Sequence, residues 1–251
     1  MRPAVHAEWT KLRTVGGTLW LLLGTVAATV ALGAAGASTV TCGPAGCGDV
    51  TRRCLVGVQL GQAPVVVLAV TAVAGEYGTG LIRTTLAAVP RRGAVLAAKA
   101  VTLAGVVAAA GTVAVLGSLL AGRLLVPGGG RPALSLADGP TLRAAFGSVL
   151  YLALVALLGL GVGTAVRDSA AGAGIVLGLL HLFPLLALTV ADPHYHRLLQ
   201  QVGPMSAGLA VQATTGLDRL PIGPWAGLGV TAAWAAAALL TGGALLRTRD
   251  A

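Results

Sequence analysis

GEYGTGLIRTTLAAVPRRGAVLAAK, residues 75–99, separates two long apolar runs and carries one carboxylate, three arginines, a lysine and a proline. If the flanking runs cross a membrane, this stretch is a short loop on one face. Its order predicts a breakable turn at Gly75, Gly78 and Gly80, a short helix from about Thr79 to Val89, and a stop at Pro90. Ile82, Leu86 and Val89 stand at i, i+4 and i+7 and form one apolar stripe, while Thr84 and Ala87 face away. A helix this short lies below the roughly 12–15 residues an isolated helix needs in water. The stripe therefore requires something to pack on, either the membrane surface or a partner protein.

Composition agrees with flanking spans. Of 251 residues, 56% are hydrophobic and 10% charged, against roughly 25% charged in soluble domains. The 37 glycines suit spans that pack through small side chains. A net charge of +9 raises the question of nucleic acid, yet only two lysines occur and no polar domain exists to hold a basic patch. The arginines read instead as the positive flanks of an integral membrane protein, with lipid and not nucleic acid as the partner. The expected fold is all-α and polytopic, one transmembrane domain over residues 1–251.

Ahead of the first span, AEWTKLRT places Trp9 and Leu12 at helical spacing, with Glu8 and Lys11 three apart. This predicts an interfacial helix at the headgroups; an ordinary basic flank is the plainer alternative. Spans are expected at about 18–37, 55–74, 95–120, 144–166, 169–190 and 225–246. The first run ends in Ala35-Gly36-Ala37, like a signal cleavage site, but has the length of a full span, so it reads as an uncleaved helix. Lys99, one turn inside the third span, is expected to snorkel to the interface. A tight turn at Arg167-Asp168 joins the fourth and fifth spans. Between the fifth and sixth, 195–217 reads as two short helices broken at Gly203-Pro204, lying on or dipping into the outer leaflet.

Six spans put both ends on one side. With the ends cytoplasmic, ten of the 17 Lys and Arg lie inside and seven outside, the bias expected of cytoplasmic ends.

Little catalytic chemistry is visible. Neither Lys11 nor Lys99 follows a glycine, so there is no P-loop and no ATP site of that kind. H-E-x-x-H and G-x-S-x-G are absent, and no enzyme activity is expected. Asp192, His194 and His196 form a loose trio in an outer loop, too sparse to predict a metal. Cys42, Cys47 and Cys54 occupy the first outer loop, where one disulfide is allowed and the pairing is open. Gln59 and Gln62, near one face of the second span, either contact a polar part of a substrate or bond neighbouring helices. No Asp, Glu, Lys or Arg lies mid-span to couple an ion, and His181 is the only candidate for that role. If the protein moves something, a partner must supply the energy.

AEWTKLRT, the loop GEYGTGLIRTTLAAVPRR with LAAK, the turn RDSAAGAG and the segment GPMSAG together resemble the six-span permease subunit of bacterial ATP-binding-cassette exporters, the type-2 permease superfamily, in an actinobacterial-like form. The resemblance covers nearly the whole chain. It implies a plasma-membrane protein with cytoplasmic N- and C-termini, working as a homodimer or heterodimer with two copies of an ATPase subunit that binds ATP and Mg. It also implies that the loop between spans two and three is a coupling helix docked on the ATPase. The residues implied there are Glu76, Tyr77, Gly78, Gly80, Leu81, Ile82, Arg83, Leu86, Val89, Pro90, Arg91 and Arg92. Glu8, Trp9, Lys11 and Leu12 would belong to the interfacial helix, and Gln59, Gln62 and His181 to a substrate path. A hydrophobic or amphipathic cargo moving outward is the expected function. The alternative is a six-span sensor or assembly protein without transport.

Overall fold

A computed structural model describes residues 2–14, 16–41, 47–81, 84, 92–126 and 137–248. Among these residues every regular element is helical. Helix α1 spans Arg2–Thr14, α2 Gly16–Ser38, α3 Val50–Cys54, α4 Val58–Gly78, α5 Arg92–Leu125, α6 Gly139–Val166, α7 Ser169–Thr189, α8 Pro193–Val202, α9 Pro204–Gly208 and α10 Pro224–Thr248. Short 3-10 turns at Leu209–Gln212 and Leu217–Arg219 lie between α9 and α10.

Six of the helices, α2, α4, α5, α6, α7 and α10, are long and apolar enough to cross a membrane. Their outward faces say what surrounds them. Trp20, Leu124, Leu188 and Leu240 are 74–81% exposed, which is sensible where the solvent is hydrocarbon and the backbone is satisfied within each helix. The chain is a multi-pass membrane protein.

Small residues set the packing. Helix α2 buries only Thr18, Thr25, Thr29, Gly33 and Ala37. From Thr25 these recur every four residues, a seam that lets neighbouring backbones approach. Where α4 begins, a Cβ on Gly57 would stand 1.9 Å from the Thr29 carbonyl oxygen, so no larger residue fits. Helices α4 and α6 form the centre, with Val65, Val66, Tyr151, Leu152 and Val155 fully buried.

The segment before α10 is buried in the bundle. Pro204, Met205 and residues 207–213 are buried. A Cβ on Gly208 would meet the Tyr151 ring at 2.6 Å, and Tyr151 lies twelve residues into α6, about 18 Å along its axis. Irregular backbone at that depth is tolerable only inside protein, and here it is enclosed by α6, α7 and α10. Thr231 donates to the Pro204 carbonyl (2.8 Å), and Gln212 donates to the Leu55 carbonyl (3.3 Å) and to Ser148 Oγ (3.1 Å).

Contacts define two ends of the bundle. At one, Arg92 Nη1 donates to the Leu246 carbonyl (2.7 Å), and the Arg167 guanidinium lies 4.8 Å over the Tyr77 ring. The start of α5, the end of α10, the end of α4 and the α6–α7 turn therefore meet. That turn is tight, as expected: Arg167 takes φ 64°, and Asp168 caps α7 by accepting from the Ala171 N–H. At the other end Asp49 accepts from the Thr214 N–H (2.6 Å), the Thr214 hydroxyl (2.8 Å) and the Thr215 N–H (3.2 Å).

One expectation needs correction, and one open alternative is resolved. The second span does not break at Gly75, because α4 runs through it to Gly78. Glu76 and Tyr77 are thus helical residues, and the turn is displaced to Gly80, whose φ is +73°. The cysteines also separate: Cys47 is disulfide-bonded, whereas Cys54 is a free thiol, fully buried. Burial pushes the Cys54 thiol up to about 11. Cys42 lies outside the described residues.

Candidate functional site

Four charged side chains from three helices close into a ring where α1 meets the end of α4 and the start of α5. Lys99 Nζ donates to Glu8 Oε2 (2.8 Å), to Glu76 Oε1 (2.7 Å) and to the Ala72 carbonyl (3.3 Å). Lys11 Nζ donates to Glu8 Oε1 (3.0 Å) and to the same Glu76 Oε1 (2.8 Å). Signs alternate around the ring, and the four charges sum to zero.

Each position follows from local structure. Glu8 and Lys11 share a face because they stand three apart on a helix. Glu76 reaches the ring because α4 continues past Gly75. Lys99 lies seven residues into α5, where α1 folds over it. The expectation that Lys99 snorkels to the interface is therefore wrong. Its side chain is 4% exposed, and those of Glu8 and Glu76 are 9% exposed. A partner of opposite sign supplied by α1 and α4 replaces water. Lys11 is the solvated member, with a side chain 40% exposed. Burial lowers its proton affinity, but hydrogen bonds to Glu76 and Glu8 prevail, and the ammonium is held above its ordinary value.

Such a ring is not a simple source of stability, since desolvating four charges offsets much of their attraction. Its consequence is mechanical. Removing one member strands an opposite charge, so α1, α4 and α5 are bound to move together.

Beside the ring lies a cavity of about 550 Å³, lined by all four ring residues and otherwise mainly by apolar side chains, among them Leu12, Leu21, Leu68, Leu103 and Leu160. Glu76 Oε2 is buried and has no hydrogen-bond partner among the described residues.

The other expected residues are dispersed. Trp9 is about half exposed on α1, and Leu81 is similarly exposed at the cavity rim. Ile82, Arg83, Leu86, Val89, Pro90 and Arg91 lie outside the described residues. Gln62 is fully buried, accepting from the Tyr151 hydroxyl and donating to Met205 Sδ (3.0 Å), so it joins helices. Gln59 is exposed on α4. His181 is exposed on α7, with Nδ1 2.9 Å from the Leu177 carbonyl. These three do not converge on one surface. Asp192 caps α8 by accepting from the His194 N–H (2.8 Å), and His196 Nδ1 faces the Ala187 carbonyl (2.8 Å). No metal-ligating trio occurs among the described residues.

Sequence reasoning named Glu8, Lys11, Glu76 and Lys99 but put them in two separate features. One signal could have joined them: an ionisable residue inside a span requires a partner, and Lys99 has few carboxylates near its depth to choose from.

No protein-family model matches the chain, and no curated protein matches it. Fold and site define a class, an all-helical multi-pass membrane protein with a neutral ionic ring at one end of its bundle.

Proposed function

We propose that this chain is the membrane subunit of an ATP-driven exporter in the bacterial plasma membrane, with cytoplasmic termini and a separate ATPase subunit as its energy source. The observation that carries the reading is the ring. It binds α1 to the two helices that flank residues 79–91, so a push that reaches α1 is delivered to both spans at once. A subunit without an ATP site needs such a connection. Arginine-rich flanks at the same end of the bundle support a cytoplasmic face. In this reading α1 is the interfacial helix, residues 79–89 form the coupling helix, and α8 and α9 belong to the outer half. The cargo is hydrophobic or amphipathic and moves outward through a dimer.

The test is co-purification of an ATP-binding-cassette ATPase with this chain from membranes of its own source cell, comparing wild type with Ile82→Asp/Leu86→Asp. Wild type should retain the ATPase, and the double variant, inserted in the membrane at equal level, should lose it at least tenfold. Failure of wild type to retain it, or equal retention by both, would sink the exporter reading.

A further inference from the structure

Helix α3 turns its charge outward. Val50, Thr51 and Cys54 are buried, which leaves Arg52 and Arg53 as its exposed members. Both ends of this short platform are fixed. Asp49 caps it by accepting from the Arg52 N–H (3.0 Å) and also holds Thr214 and Thr215. A Cβ on Gly36 would stand 2.4 Å from the Arg53 carbonyl oxygen, so the end of α3 lies against the last turn of α2. Successive residues on a helix diverge by about 100°, yet both arginines line one cavity of about 490 Å³, with Gly36, Thr39, Asp49 and Val56.

The cavity holds an excess of positive charge. Neither guanidinium pairs with a carboxylate among the described residues. Asp49 is the acidic group in the wall, and both its oxygens already accept from Thr214, Thr215 and the Arg52 N–H. Residues 42–46 and 127–136, the connections at this end outside the described residues, contain no Asp or Glu, and their one charged residue is Arg131. An anion from outside the chain is therefore favoured, and paired guanidiniums match the oxygens of a phosphate.

An apolar groove continues from the cavity. On α2, Gly36, Leu32, Ala28 and Gly24 recur every four residues; Val56, Leu60 and Pro64 do the same into and along α4. The rows face each other, because a Cβ on Gly36 would meet Val56 Cγ1 at 2.9 Å and one on Gly24 would meet Pro64 Cγ at 3.9 Å. Leu32 and Leu60 are exposed and the others half-buried. Twelve residues of α2 span about 18 Å, close to the roughly 15 Å that one leaflet contributes to a hydrocarbon core of about 30 Å. A free phosphate would leave this groove unused, whereas a lipid fills both parts.

We propose that Arg52 and Arg53 bind the phosphodiester of an anionic phospholipid in the leaflet at this end of the bundle, with one acyl chain in the α2–α4 groove. The site rests on the membrane character of the chain and stands if the exporter reading fails.

The test uses the full chain in phosphatidylcholine vesicles. Phosphatidylglycerol and phosphatidylcholine bearing the same acyl-chain diazirine are photolysed in turn, and labelled peptides are mapped by mass spectrometry. Phosphatidylglycerol should label residues 24–36 and 56–64 at least fivefold more than phosphatidylcholine does. On lipid-facing α7, which has the exposed Arg197 beyond its end, the two should agree within twofold. Arg52→Gln/Arg53→Gln exchanges two exposed side chains and should abolish the excess. Arg197→Gln/Arg219→Gln removes the same charge elsewhere and should leave it within twofold, as should an excess of inorganic phosphate. Equal labelling of the groove by the two lipids in wild type would overturn the proposal without recourse to any variant. Survival of the excess in Arg52→Gln/Arg53→Gln, its loss in Arg197→Gln/Arg219→Gln, or its displacement by inorganic phosphate would each do the same.

Discussion

Replacing Lys99 with methionine isolates what the ring does. The side chain is 4% exposed and reaches both Glu8 and Glu76, so Lys99→Met leaves two buried carboxylates with Lys11 as their shared cation. Breaking a buried ion pair by removing one partner costs about 3–5 kcal/mol. The lower end applies here, about 3 kcal/mol, because Lys11 still bonds both carboxylates. At about 2–4 °C per kcal/mol for a chain of this size, the melting temperature should fall by about 6–12 °C. Lys11→Met also leaves the two buried carboxylates sharing one lysine, but it removes the 40% exposed member, whose place water partly takes, and should cost less than Lys99→Met. Lys99→Met/Glu76→Met removes one charge of each sign and leaves Glu8–Lys11 intact at 3.0 Å. It should recover more than half of the single-variant loss, because no stranded carboxylate remains. Thermal unfolding of the purified protein in one detergent reads all of these. A Lys99→Met melting temperature within 1 °C of wild type, or a double variant as low as the sum of its singles, would refute the account of the ring as a coupled buried network.

Alkaline pH should destabilise the protein in two stages. Cys54 titrates at about 11 when folded and 9.0 when not, so the folded state holds the extra proton and stability falls across that window. Lys11 is held above its ordinary 10.5, so its contribution is complete below that pH and is lost as pH rises through the folded value. In pH-resolved melting, Cys54→Ala should remove the earlier loss and Lys11→Met the later one. Tyr151→Phe leaves Gln62 Oε1 buried without its donor and should cost about 1–3 kcal/mol in the same melts; no change would remove Gln62 and Tyr151 as a structural pair. Gly57→Ala should abolish folded protein on size exclusion, since its Cβ would sit 1.9 Å from the Thr29 carbonyl oxygen. Gly105→Ala, with nothing within 4 Å, should instead stabilise by roughly 0.5–1 kcal/mol.

The spans were legible because a hydrocarbon solvent imposes one rule on every residue facing it, and that rule is written locally in the sequence. The break at Gly203-Pro204 and the turn at Arg167-Asp168 were legible for a similar reason, since proline and caps act on adjacent backbone. The enclosure of residues 204–213 by neighbouring helices was not, because an apolar segment with a break looks the same on a leaflet and inside a bundle. Gly75 misled because glycine is tolerated within a helix whose neighbours continue it. The ring escaped for a different reason: Lys99 and Glu8 are separated by 91 residues, and helical periodicity reports only the face a residue occupies. Which other face meets it is decided by packing of small residues along α2 and α4.

That packing also bears on how far a push at residues 79–91 travels. Gly80, at φ +73°, stands at the α4 end of that loop, and a backbone there bends more freely than elsewhere. If the loop moved alone, the bend would absorb its motion before it reached α4. For motion to pass, the loop must engage something on the bundle side of Gly80, and α1 is the element available. Glu8 and Lys11 hold α4 and α5 from one thirteen-residue helix of about 20 Å, and separating buried opposite charges costs several kcal/mol. Tilting α1 therefore acts on both spans, whereas bending at Gly80 spares α4. In the exporter reading, a partner that presses on α1 as well as on the loop is the one that can drive the bundle.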